Sequence, residues 1–126
     1  MIKVALTDDD AGIRKVVRQT LTRQPDMELL WEAEDGLDAL ERTDDAEPDV
    51  MVMDIDMPRM NGLETLRQIL KSRPTVKVVM FSGRSAEELA EIALGAGALG
   101  WVCKSKPQDL PDAIRAVHLG CVFIGA

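Results

Sequence analysis

Cysteine and histidine are scarce in this chain: Cys103, Cys121 and a single histidine, His118, stand among 126 residues. They form no spacing that would hold a zinc ion, which excludes that kind of metal centre. The two thiols read as small buried groups in a reducing compartment. Long apolar runs are also missing. None approaches the roughly 20 residues that span a bilayer. The N-terminal segment reaches Asp8, Asp9 and Asp10 after a short apolar stretch. A secretory leader needs a basic segment and a longer apolar one there. The expectation is a cytoplasmic protein with no membrane partner. Excess positive charge is the third absence. Net charge is −7, and an acidic surface repels phosphate backbones, so this chain is not expected to bind nucleic acid itself. A DNA-binding neighbour in a longer parent chain stays open.

What is present is apolar content and an alternating pattern. Apolar residues make up 46% of the chain, enough for a core and too much for disorder. Strand patterns fall at Ile2 to Leu6, Met27 to Trp31, Val50 to Met53, Val76 to Phe81 and Leu99 to Cys103. Helical spacing runs through Ile13, Val16, Val17 and Leu21, with Asp10 as N-cap, and Pro25 ends it. Leu37, Ala39 and Leu40 mark a second helix. Leu63, Leu66, Ile69 and Leu70 mark a third, stopped by Pro74. Ser85 to Leu94 is a fourth, and Leu110, Ala113, Ile114 and Val117 define a fifth with Pro111 in its first turn. The tail, Cys121 to Ala126, reads as a final turn or the start of a linker. Five strands alternating with five helices predict a single α/β domain over residues 1–126 with a five-stranded parallel sheet. Trp31 reads as a core residue of the second strand, and Glu34 and Asp35 as caps or solvated acids.

The polar residues suited to chemistry follow the predicted strands. Asp8 and Asp9 follow the first, Asp54 the third, Ser82 the fourth and Lys104 the fifth. In a parallel sheet these ends share one edge, and ligands bind there where strand order reverses. Carboxylates brought together raise each other's pKa unless something neutralises them. Mg²⁺ is the natural partner, because it takes oxygen ligands from one or two carboxylates and substrate phosphate. A carboxylate nucleophile, a metal, an ammonium and a hydroxyl make a phosphoryl-transfer set, with Asp54 as nucleophile.

These stretches carry a resemblance. Thr7-Asp8-Asp9, the run from Met53 to Gly62 (MDIDMPRMNG), Phe81-Ser82-Gly83 and the run from Gly100 to Lys104 (GWVCK) resemble the receiver domain of two-component response regulators. The resemblance covers the whole chain and is nearest to LuxR/NarL-type transcription regulators. It implies a flavodoxin-like, doubly wound fold with strand order 2-1-3-4-5. It implies that Asp54 accepts a phosphoryl group from a sensor histidine kinase. Asp9 and Asp54 would supply Mg²⁺ oxygens, Asp8 would act through water, and Asp56 would give its backbone carbonyl. Lys104 and Ser82 would bind phosphoryl oxygens, and Trp101 would be the aromatic switch that turns inward when the Ser82 loop moves. Asp56 and Arg84 hold positions that tune phosphoryl lifetime in the family, and we read them as an ion pair that hinders attacking water. The expected output surface is the region from about Ser85 to Leu119, with dimerisation on phosphorylation and a helix-turn-helix output domain beyond residue 126. Gly83 stands where alanine is commoner and Ser105 where proline is, which removes the usual reason for a cis bond after Lys104.

Other classes of function remain in view. Asp54-Ile55-Asp56 also resembles the nucleophile motif of haloacid-dehalogenase-like phosphatases, but that motif normally follows the first strand. A receiver-like binding module that ignores phosphate is the other alternative, and the intact acid set argues against it. Under the main reading the chain is not a turnover enzyme; it assists only its own phosphorylation and hydrolysis.

Overall fold

The computed structural model describes residues 1–125. Strands and helices alternate as β1 (Ile2–Thr7), α1 (Ala11–Thr22), β2 (Met27–Ala33), α2 (Gly36–Asp45), β3 (Val50–Met53), α3 (Gly62–Ser72), β4 (Lys77–Ser82), α4 (Ala86–Gly95), β5 (Gly100–Cys103), α5 (Leu110–His118) and β6 (Phe123–Ile124). A short 3-10 turn over Pro107–Asp109 leads into α5. The sheet is entirely parallel, with order β2-β1-β3-β4-β5-β6.

Successive strand residues point to opposite faces, so each buried strand feeds two cores. Val4, Leu6, Val50, Val52, Val79, Phe81 and Val102 pack on one face under α1 and α5, through Val17, Leu21, Leu110, Ile114 and Val117. Ala5, Met51, Met53, Val78, Met80 and Trp101 pack on the other, under α3 and α4, through Leu66, Ile69, Ala90 and Ala93. Polar side chains seal several helix starts. Asp10 accepts from the Gly12 and Ile13 amides, Asp35 from Asp38 N and Asn61 from Glu64 N, each satisfying donors that a helix start leaves unpaired.

The sheet has six strands where the sequence predicts five. The extra strand forms because Gly120, with φ +87°, reverses the chain after α5. Phe123 N then donates to the Leu99 carbonyl and Gly125 N to the Trp101 carbonyl. A two-residue strand shows no periodicity, and its pairing partner lies 23 residues upstream at Gly100, so pattern reading has nothing to detect. The thiols are a second correction. Cys103 is half-buried at the sheet edge and Cys121 is exposed, because both sit at element ends rather than on core faces. Trp31 is half-buried on the edge strand β2, with its indole N–H donated to the Ala46 carbonyl.

Candidate functional site

The parallel register brings the acids together. Thr7 pairs with Met53, so Asp8 and Asp54 leave neighbouring strands at the same level, and Asp54 N donates to the Thr7 carbonyl at 2.9 Å. Carboxylate oxygens of Asp8, Asp9 and Asp54 lie within 4.8 Å of one another. Asp8 and Asp54 are buried while Asp9 is exposed. Two carboxylates inside and one at the rim leave one side of the cluster open to water.

Lys104 enters from the far side. Ser82 pairs with Cys103 across β4 and β5, and Lys104 N donates to the Ser82 carbonyl, which sets the lysine at the same edge. Its Nζ lies 2.9 Å from Asp8 Oδ2 and 3.2 Å from Asp54 Oδ1. Asp8 Oδ2 is buried and has the Lys104 ammonium as its partner. Asp8 Oδ1 accepts from Asp10 N, and Asp54 Oδ1 accepts from Asp56 N at 3.3 Å. Burial pushes the Asp54 carboxyl up to about 6, the Asp8 charge adds to this, and Lys104 only partly offsets it. Burial works against the Lys104 ammonium, yet Asp8 and Asp54 outweigh it and hold the group above its ordinary value.

Three converging acids, two of them buried and one exposed at the rim, fit a hard divalent cation with bound water. Ser82 is fully buried at the end of β4, and its hydroxyl accepts from Arg84 N at 3.0 Å. Arg84 turns back to meet Asp56 in a bidentate ion pair, Nε to Oδ2 at 3.1 Å and Nη2 to Oδ1 at 2.8 Å. Both side chains are about half exposed. Trp101 lies buried against the α3/α4 core, with its indole nitrogen unpartnered. Asp8, Asp9 and Asp54 are thus gathered at one edge with Lys104 paired to Asp8 and Asp54, while Trp101 lies apart from them in that core. The peptide between Lys104 and Ser105 is trans.

The family model described as the response regulator receiver domain matches residues 4–115. The chain belongs to the response regulator receiver domain family. This receiver domain is 38% identical over 120 residues to the uncharacterized transcriptional regulatory protein YxjL of Bacillus subtilis (strain 168), covering 94% of this chain and 55% of that protein. It is 34% identical over 124 residues to the transcriptional regulatory protein DegU of Brevibacillus brevis, covering 98% of this chain and 52% of that protein. The receiver domain therefore spans about half the length of these curated relatives. A LuxR-family two-component response regulator from Aurantimonas sp. SI85-9A1 has a solved structure that matches with a TM-score of 0.93 at 30% identity, covering 98% of this chain and 89% of that one. Among the described residues of the receiver domain, no helix is long and apolar enough to cross a membrane.

Sequence reading missed three supports of the site. Arg14 Nη1 donates to the Asp8 carbonyl at 2.6 Å and steadies the turn that carries the acids. Arg59 ion-pairs with Asp35, a partner 24 residues away in sequence. Gly62 sits where a Cβ would collide with the Asp54 carbonyl and lie 2.8 Å from Ile55 Cα. The glycine leaves a local signal, as part of the quoted motif; the Arg14 contact is set by how α1 leaves the turn six residues earlier, and the Arg59 contact by tertiary placement.

Proposed function

We propose that this receiver domain is a phosphorylation-dependent switch in which Asp54 takes a phosphoryl group from the phosphohistidine of a sensor kinase. The observation that carries the reading is the convergence of Asp8, Asp9 and Asp54 with Lys104 at one sheet edge. Asp9 and Asp54 would hold Mg²⁺, with the Asp56 backbone carbonyl as a third protein ligand and Asp8 acting through water. The ion would supply charge neutralisation for the incoming phosphoryl oxygens. Asp54 attacks phosphorus through a carboxylate oxygen, the bond from phosphorus to the donor imidazole nitrogen breaks, and that nitrogen keeps the electron pair. Lys104 then stabilises the phosphoryl oxygens as a fixed cation, and the Ser82 hydroxyl donates to another of them. Neither adds a bond; their work is placement and electrostatics.

Moving Ser82 toward a phosphoryl group draws on the β4–α4 loop, to which it is tied through Arg84 N. The Trp101 indole, buried beside α4, would follow that loop and bias the α4-β5-α5 surface, with α1 as an alternative dimer face. A shallow pocket bounded by Arg84, Glu87, Trp101 and Cys103 opens on that surface. The Asp56–Arg84 pair closes over the acceptor and slows attack by water. The partner set is a sensor histidine kinase, a second copy of the chain after phosphorylation, and DNA only through an output domain beyond residue 126. We place this activity in the cytoplasm, with no turnover of outside substrates.

Acetyl phosphate with Mg²⁺, followed by intact mass spectrometry, tests the reading. One added phosphoryl group per chain, lost in Asp54→Asn, is expected. No labelling favours a phosphate-independent binding module, and turnover of small phosphate esters favours a phosphatase.

A further inference from the structure

The loop between β3 and α3 has few internal bonds. Within residues 56–61 one backbone bond is present, Met60 N to the Pro58 carbonyl at 2.8 Å. The loop is closed at its base, where Gly62 N donates to the Ile55 carbonyl. Its shape between these points depends on what its side chains reach. Asp56 reaches Arg84, but both partners are about half exposed, and such pairs hold weakly in water. Arg59 is itself largely exposed, but it reaches Asp35, which is only 7% exposed and whose other oxygen, Oδ1, already caps α2 by accepting from Asp38 N at 2.9 Å.

Two further observations mark this contact. Arg59 is the only non-glycine residue with positive φ among the described residues, at 68°. L-residues enter that left-handed region against a steric cost and stay there only when surrounding structure fixes them. The loop is also seated on the start of α2: a Cβ at Gly36 would collide with Thr65 Oγ1 and approach Met60 Cβ to 3.1 Å. Thus α2 forms a floor for the loop, and the Asp35 carboxylate is the fixed anchor on that floor.

We infer that Arg59 is a positioning residue for the cation site: its ion pair with Asp35 fixes the loop that presents the Asp56 backbone carbonyl. The inference rests on the Mg²⁺ reading proposed above. Mg²⁺ tolerates little departure from octahedral geometry, and a carbonyl ligand is aimed by the peptide planes around it. Releasing the Arg59 end lets those planes turn, while Asp9 and Asp54 keep their places just beyond β1 and β3. A residue that touches no ligand atom thereby sets affinity, as groups supporting metal ligands commonly do.

Calorimetric Mg²⁺ titration of the wild-type chain, Arg59→Asn, Asp35→Ser and the double variant tests this. Asparagine tolerates left-handed backbone and serine still caps a helix, so each variant removes mainly the ion pair. Each single change is expected to weaken Mg²⁺ binding by roughly 10-fold, with little further loss in the double variant. Arg59→Lys is expected to recover part of it. Without Mg²⁺, amide hydrogen exchange at Met60, whose N–H makes the loop's one backbone bond, is expected to quicken in the same variants. Unchanged Mg²⁺ affinity in Arg59→Asn overturns the inference, even if its melting temperature falls. Should Asp35→Ser fail to fold, Arg59→Asn decides alone, because residue 59 is 62% exposed. A wild-type chain that binds no Mg²⁺ removes both readings. Binding that is lost in Asp54→Asn but kept in Arg59→Asn removes only this one.

Discussion

Asp54 is held between opposing influences. Burial and Asp8 disfavour its charge, while Lys104 favours it, and the net result lifts its pKa from 3.8 to about 6. A carboxyl with a raised native pKa binds its proton more tightly when folded. Stability therefore falls as pH rises from about 4 to about 6, and the loss persists above that window. Asp54→Asn removes this cost. Without added Mg²⁺, thermal unfolding at about pH 7.5 should show the variant more stable by on the order of 1–2 kcal/mol, the difference vanishing below about pH 4. Saturating Mg²⁺ should reverse the order at neutral pH, because the wild type gains a ligand that the variant binds poorly. Arg84 acts at the same scale. Its pair with Asp56 is solvent-exposed, so Arg84→Ala should leave stability nearly unchanged yet speed loss of the phosphoryl label by about 2- to 5-fold. An unaltered phosphoryl lifetime would show that the pair does not shield the acceptor.

At the level of elements, the site depends on how strands hand over to loops. Asp8 and Asp54 occupy the first positions beyond β1 and β3, where the backbone still donates to neighbouring strands: Asp8 N to the Ala33 carbonyl and Asp54 N to the Thr7 carbonyl. The Asp54 side chain, paired with Lys104, thus stands on a main chain as fixed as the sheet. The start of α3 lies directly against that main chain, since Gly62 N donates to the Ile55 carbonyl and Gly62 has no room for a Cβ beside the Asp54 carbonyl. Gly62→Ala should cost about 1–3 kcal/mol in denaturant unfolding by forcing the helix start away. It should also lower the labelling rate with acetyl phosphate, because the loop carrying Asp56 moves with it. The α5-to-β6 return is another element-level feature. Gly120 makes the reversal and Phe123 packs partly on the core under α5, so β6 covers the edge of β5 beside Trp101.

For the whole molecule, the sheet sorts labour between its two ends and its two faces. One edge collects the acids and Lys104, while the α1/α5 and α2–α4 faces bury separate apolar clusters. Under the proposed switch, a movement at the Ser82 edge would reach the α4 face through the β4–α4 loop and Trp101. Phosphorylation should therefore change association through α4, β5 and α5. Sedimentation after treatment with acetyl phosphate and Mg²⁺ should show a shift from monomer toward dimer, with Asp54→Asn staying monomeric at the same concentration. An identical sedimentation profile in treated and untreated protein would remove this chain's own self-association as the output.

The α/β alternation, the helix start at Asp10 and the convergence of Asp8, Asp9, Asp54 and Lys104 at one sheet edge were legible in the sequence. They are short-range signals: period-2 strands, helical stripes, caps and residues placed just after strands. The tertiary structure alone decided the rest. The sixth strand needed Gly120 to turn the chain onto β5. The meeting of Arg59 with Asp35 and of Lys104 with both buried acids depends on how segments 24 to 96 residues apart are stacked. Local pattern records what a segment prefers; only packing fixes which distant charges share a space shielded from water, and that shielding is what raises the Asp54 pKa.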